Sequence, residues 1–121
     1  MIKNDEINKS IPINLSVNSK SDAKSLNKKG DALLELGLYN KSIESFNKAI
    51  AIDNNLAASW MGKGEAFSHL DRLNEADMSY KQALSIDPQN AEILRRQSVL
   101  LRAMGRGSKA ETAMIKATEL G

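Results

Sequence analysis

The chain has 121 residues, 41% of them hydrophobic but only 4% aromatic, with a formal net charge of +2 and no cysteine. The length suits one domain whose core is built from Leu, Ile, Ala and Met. The composition excludes disulfides, thiolate metal sites and a thiol nucleophile, and so small a charge gives no global pull toward nucleic acid or an anionic membrane.

Residues 1–22 are rich in Asn, Ser and Lys and are expected to form a disordered or loosely ordered arm. Within the arm Ile11, Ile13, Leu15 and Val17 alternate with Pro12, Asn14 and Ser16, the period of an extended strand. A second reading therefore stays open, in which the arm docks on its own groove or a neighbour's. The interruptions also make a signal peptide a poor reading. No stretch approaches the roughly 18 apolar residues of a membrane span, so no membrane contact and a cytoplasmic location are expected.

From Asp22 onward the apolar spacing is helical. Asp22 is expected to cap a first helix carrying Leu26, Leu33, Leu34 and Leu36, broken near Gly37. Asn40 is expected to cap a second helix with Ile43, Phe46, Ala49, Ile50 and Ile52, before a turn at Asp53-Asn54-Asn55. A third begins near Ala57 and holds Trp60, Ala66, Phe67 and Leu70. Asn74 caps a fourth with Ala76, Tyr80, Ala83, Leu84 and Ile86, and Asp87-Pro88 ends it. Asn90 caps a fifth with Ile93, Leu94, Leu100, Leu101 and Met104. Gly105 and Gly107 flank the next turn, and Ser108 caps a sixth helix with Ala110, Met114, Ala117 and Leu120.

These elements repeat every 34 residues. Gly30 recurs as Gly64, Leu36 as Leu70, Phe46 as Tyr80, and Ala49 as Ala83 and Ala117. Leu26, Trp60 and Leu94 share one position, and the expected caps Asn40, Asn74 and Ser108 another. A fixed period of this length implies stacked supersecondary units.

In that register the middle unit, with Trp60, Gly64, Phe67, Ala76, Tyr80, Ala83 and Pro88, resembles the tetratricopeptide repeat. The first unit offers Leu26, Gly30, Leu33, Phe46 and Ala49, with Ser42 for the family's alanine and Asn54 for its proline. The third offers Leu94, Leu101, Ala110 and Ala117, with Ser98 for glycine and Met114 for the aromatic. The resemblance implies an all-α, right-handed superhelical solenoid of three antiparallel helix pairs, at about 23–56, 57–90 and 91–121. It implies a protein-interaction module that binds a peptide or segment of another protein, with no catalytic role and no cofactor. The pattern also has a physical reading. Mid-helix glycine costs about 1 kcal/mol relative to Ala, which is offset where a partner helix must approach closely. Ala49, Ala76, Ala83, Ala110 and Ala117 are the small residues expected on that contact. Phe46, Trp60 and Tyr80 are expected to fill the gaps between units.

The family lines its concave face with the first helix of each pair. Carried over by register, the lining is Lys24, Asn27, Lys28, Asp31, Leu34 and Glu35, then Ala58, Met61, Gly62, Glu65, Ser68 and His69. The third unit adds Glu92, Arg95, Arg96, Val99, Arg102 and Ala103. The expected partner contacts are Asn27, Asp31, Met61, Glu65, His69, Arg95, Val99 and Arg102. Residues 57–90 carry three bases and five acids, and residues 91–121 six bases and three acids. Arg95, Arg96 and Arg102 would thus make a cationic end suited to a carboxylate or phosphate. A plain solvated face remains the other reading.

One subclass of the family grips the C-terminal carboxylate of heat-shock chaperones with a Lys/Asn/Asn/Lys/Arg clamp. The matching positions here are Asn27, Asp31, Gly62, Glu92 and Arg96, of which only Arg96 fits. Such a carboxylate is therefore not the expected partner. His69 stands alone, four residues after Glu65, which makes a helical pair rather than a metal or catalytic cluster. Neither Gly62-Lys63-Gly64 nor Gly105-Arg106-Gly107 completes a phosphate loop. Two alternatives remain. The first is a self-assembling scaffold, or homo-oligomer, through the last helix pair, where Ile115 replaces Asn47 and Lys81 although Glu111 and Thr118 make that unit polar. The second is weak RNA binding by the third-unit arginines, which the acidic middle unit and the lack of an aromatic platform disfavour.

Overall fold

Six α-helices account for almost all of residues 19–121, the part of the chain that the computed structural model describes. They are α1 (Lys20–Glu35), α2 (Tyr39–Ile52), α3 (Ala57–His69), α4 (Leu73–Ile86), α5 (Ala91–Ala103) and α6 (Gly107–Leu120). Among the described residues there is no strand. The arm expected at residues 1–22, with its alternating Ile11, Ile13, Leu15 and Val17, lies outside the described residues as far as residue 18. Its last residues are helical, because α1 starts at Lys20.

Helices pack in sequential pairs, α1 on α2, α3 on α4 and α5 on α6, and each pair packs on the next through α2–α3 and α4–α5. α1, α3 and α5 thereby lie side by side, and the result is a solenoid of three helix pairs. The small residues do what the spacing requires. Ala49, Ala76, Ala83, Ala110 and Ala117 expose no surface. Gly30 and Gly64 open slots for aromatic rings: a Cβ at Gly30 would lie 2.6 Å from the Phe46 ring, and one at Gly64 2.7 Å from Tyr80. Phe46 reaches into the next unit too, since a Cβ on Gly62 would overlap its Cζ. Interiors packed at crystal-like density leave no room for such an atom. The third unit has no aromatic at this position. There Ser98 is fully buried and its Oγ donates to the Ala110 carbonyl at 2.9 Å. Trp60 departs from expectation. It is only half-buried, its indole N–H donates to the Asn54 carbonyl at 3.2 Å, and Lys63 Nζ sits 4.9 Å above its ring. It covers a rim, whereas Phe46 and Tyr80 fill the interior.

Four expected caps are corrected. Ser19, not Asp22, caps α1, its Oγ accepting from Asp22 N–H at 3.2 Å. Asn40, Asn74 and Ser108 cap nothing, because α2, α4 and α6 begin before them and take Leu38, Arg72 and Arg106 as N-caps, with no side-chain bond. The cause is the preceding turn. Gly37 (φ 78°), Asp71 (φ 60°) and Gly105 (φ 77°) are left-handed. After them Leu38 N–H donates to Leu33 at 2.9 Å, Arg72 to Phe67 at 2.9 Å and Arg106 to Leu101 at 2.8 Å. This Schellman closure runs straight into the next helix. Asn90 does cap α5, its Oδ1 accepting from Ile93 N–H at 3.1 Å. No described helix is long and apolar enough to cross a membrane.

Candidate functional site

Placing α1, α3 and α5 in a row aligns side chains three and four residues apart on each helix. A cleft of about 530 Å³ results. Asp31, Leu34 and Glu35 border it from α1, Met61, Gly62, Glu65 and His69 from α3, and Arg96 from α5. Tyr39, at the start of α2, completes the wall. A second cleft of about 370 Å³ adjoins it through the shared His69 and Arg96, and adds Ser68, Tyr80, Val99 and Leu100.

Of the eight expected contact residues, Asp31, Met61, Glu65 and His69 border the first cleft, and His69 and Val99 the second. Val99 is 64% exposed, an apolar side chain held out to solvent. Asn27, Arg95 and Arg102 border neither cleft. Asn27 is turned to an internal task, its Oδ1 accepting from the fully buried Ser59 Oγ at 2.8 Å and so tying α1 to α3. Arg95 pairs with Glu92 at 3.3 Å on the solvent side of α5. Arg102 is exposed and makes no ion pair among the described residues.

The charge pattern differs from the expected cationic end. Arg96 is held by Glu65 of α3 and, at 2.9 Å, by Glu92 of its own helix. A chain Glu65–Arg96–Glu92–Arg95 thus alternates in sign. Arg95 and Arg96 hold the Glu92 carboxyl below the usual range, chiefly through the Arg95 hydrogen bond. The first cleft is lined by three carboxylates, from Asp31, Glu35 and Glu65, and one guanidinium. Asp31 keeps an exposed edge, yet the surrounding protein desolvates its carboxyl and Glu65 and Glu35 repel its charge. Its pKa rises above 3.8, and Arg96 only partly opposes the rise. Burial likewise pushes the Tyr80 phenol up, with help from Glu65.

Sequence reasoning missed Tyr39. Its ring stacks on His69 with centroids 4.7 Å apart and planes 4° from parallel, joining α2 to the end of α3. The repeat could not flag it, because the same position holds Leu73 and Gly107 in the other units. Gly62, expected to line the face, contributes only backbone there and is buried beneath Phe46. Among the described residues no three His, Asp or Glu side chains gather as a metal site would require.

Comparison with known proteins agrees with this architecture. A model described as TPR repeat matches residues 30–71 and one described as tetratricopeptide repeat matches residues 57–90. The chain belongs to the tetratricopeptide repeat family. It is 34% identical over 62 residues to the Hsp70-Hsp90 organising protein of Plasmodium falciparum, an alignment that covers 51% of this chain. The chain spans only 25% of that relative's length. Among solved structures it is similar to the second TPR of Spaghetti bound to the HSP90 peptide SRMEEVD. The TM-score is 0.80 at 22% identity, with 84% of this chain and 94% of the other covered. The type III secretion chaperone SycD of Yersinia enterocolitica, in complex with a peptide of the translocator YopD, gives 0.78 at 19% identity, covering 84% and 78%. MamA gives 0.76 at 24% identity, covering 81% of this chain and 57% of that one. At these identities the likeness concerns the fold.

Proposed function

We propose that this chain is a protein-interaction module rather than a catalyst, and that it binds an extended or helical segment of a partner in the trough along α1, α3 and α5. The observation that carries the reading is the lining of the larger cleft. Leu34, Met61 and the Tyr39–His69 stack offer apolar surface beside Asp31, Glu35 and Glu65. A preformed trough keeps the ordering cost of binding low. The same lining indicates the ligand's sign. With Arg96 engaged by two carboxylates, a partner segment presenting Lys or Arg beside an apolar side chain is the better complement.

The Hsp90 peptide in the Spaghetti structure is that protein's ligand, and it does not carry over. Asn27 is bound to Ser59, and Asp31 places a carboxylate where the clamp needs a neutral or cationic group. Fluorescence anisotropy with labelled peptides tests the proposal. A basic-apolar peptide should bind, and the double reversal Asp31→Lys, Glu35→Lys should weaken it tenfold or more. Preferential binding of a peptide ending in Glu-Glu-Val-Asp, or indifference to the reversal, defeats the reading. Self-assembly through the last pair keeps one supporting observation, since Ile115 is 53% and Leu120 39% exposed on α6. Sedimentation at two concentrations decides it.

A further inference from the structure

The second and third units each carry a further cleft that shares no residue with those along α1, α3 and α5, and its chemistry differs between the two. In the second unit it measures about 310 Å³ and is bordered by Trp60, Lys63 and Phe67 of α3 and by Glu75, Met78 and Gln82 of α4. Arg72 lies 4.8 Å over the Phe67 ring and binds Glu75 through two hydrogen bonds of 2.7 Å. The cation at this N-cap position has its own carboxylate, supplied three residues further along the chain in the first turn of α4.

Thirty-four residues later the same positions form a cleft of about 390 Å³ between α5 and α6, with Lys81 of α4 at its edge. Arg72 recurs as Arg106, but Glu75 recurs as Lys109 and Gln82 as Lys116. The guanidinium therefore loses its internal acid, and two ammonium groups line the cleft with it. Arg106, Lys109 and Lys116 make no ion pair among the described residues. Lys81 reaches only Asp77, at 3.1 Å. No carboxylate lines this cleft. Its floor is aliphatic, formed by Leu94, Leu101 and Ala113. Where the second unit has the rings of Trp60 and Phe67, the third has the smaller and largely buried Leu94 and Leu101, and its cleft is the larger of the two.

We propose that this cleft is a second docking surface, and that its occupant is an acidic amphipathic segment of a partner protein. An Asp or Glu of that segment takes, in trans, the place beside Arg106 that Glu75 holds in cis beside Arg72. A neighbouring aliphatic side chain covers Leu94 and Leu101. Charge complementarity selects the occupant: three cations without an opposing acid, with Lys81 at the edge, around an apolar floor match a segment that carries both features. A bare polyanion uses only half of the site, because the floor offers no aromatic ring on which a base could stack.

The test uses the full chain, labelled with heavy nitrogen for amide NMR, and three short synthetic peptides. One carries paired leucines flanked by glutamates. One replaces the glutamates with glutamine, and one replaces the leucines with alanine. The expected result is that the first peptide shifts the amides of Leu94, Leu101, Lys109 and Thr112, and that both controls bind at least tenfold more weakly. Lys109→Glu restores to Arg106 the internal partner seen in the second unit. It should lower affinity by at least tenfold while helix content and melting stay as in the parent. The reversal Asp31→Lys, Glu35→Lys should leave these shifts unchanged, which separates this surface from the trough. Absence of shifts at millimolar peptide, equal binding of the glutamine peptide, or equal binding of a uridine oligonucleotide overturns the proposal. So does self-association that Lys109→Glu abolishes, because the occupant is then a second copy of the chain.

Discussion

Single positions in this chain are set by what stands opposite them in the neighbouring helix. Gly62 is buried under the Phe46 ring, so Gly62→Ala should cost about 1–3 kcal/mol in urea unfolding. Gly107→Ala is the control. Nothing lies within 4 Å of a Cβ there, and the change should be neutral or stabilising by up to about 1 kcal/mol. Asp77 is the residue least at home. It is 6% exposed at the position where the first unit has Ile43, and its Oδ1 has no hydrogen-bond partner. Lys81 reaches the other oxygen from a largely exposed site. Asp77→Ile removes an unsatisfied buried group and should raise stability by about 1–3 kcal/mol. Asp31 gives a pH dependence of defined sign. Its folded pKa is raised above 3.8, so the fold favours the protonated carboxyl. The stability this contributes is full below the unfolded pKa and is lost as pH rises through the folded value. Asp31→Asn should therefore gain stability relative to the parent at neutral pH and gain less at acid pH, as paired melts would show. The glycines and the aromatics were legible as recurring positions, but not their pairing: alanines were expected opposite the glycines, and the Phe46 and Tyr80 rings of the same units stand there. Asp77 as a buried acid, the Tyr39–His69 stack and the Glu65–Arg96–Glu92 chain were not legible either, because each depends on a side chain that breaks the period.

At the scale of the helix, boundaries are set by two different devices, and only one has a clear local signature. Of the three helices entered from an extended residue, α1 and α5 use a side-chain cap, Ser19 and Asn90, while α3 starts after Leu56 without one. Within a pair the left-handed residue already closes the first helix and aims the chain into the second. That is why Asn40, Asn74 and Ser108, although cap-type residues spaced with the repeat, sit one residue inside their helices. Helix number and order were readable from apolar spacing. The caps were misread because a recurring polar residue near a helix start looks the same in either device. Substitutions separate the two. Asn90→Ala should cost about 1 kcal/mol, whereas Asn74→Ala should change stability by no more than about 0.5 kcal/mol. The turn itself is open to improvement. Asp71 occupies a left-handed conformation that Gly37 and Gly105 take at the equivalent positions, and Asp71→Gly should add about 0.5–1 kcal/mol. Equilibrium urea unfolding of these three variants measures all of this.

Across the whole molecule, stability is a sum of unit stabilities and of the interfaces between units. Phe46 belongs to both terms. Its ring stands against Gly30 in its own pair and against Gly62 in the next, and it is fully buried. Phe46→Ala should therefore cost about 3–5 kcal/mol. Trp60 lies at a rim, half-buried and hydrogen-bonded to Asn54, so Trp60→Ala should cost less than Phe46→Ala in the same buffer. The distribution of the damage matters more than its size. Loss of Phe46 empties the first interface but leaves α4, α5 and α6 in contact with their own neighbours, including the Ser98–Ala110 bond that joins α5 to α6. Hydrogen exchange should then show α1 and α2 opening at a lower free energy than α5 and α6. Uniform loss of protection over all six helices would instead make the stack one cooperative unit, with no independent joints between its pairs. The outcome bears on the proposed trough as well. Asp31 and Glu35 belong to α1, and Glu65 and Arg96 to α3 and α5, so the acidic cleft exists only while the first interface is closed. A Phe46→Ala chain whose first pair opens should lose the trough ligand while still shifting the α5–α6 cleft amides with the acidic peptide.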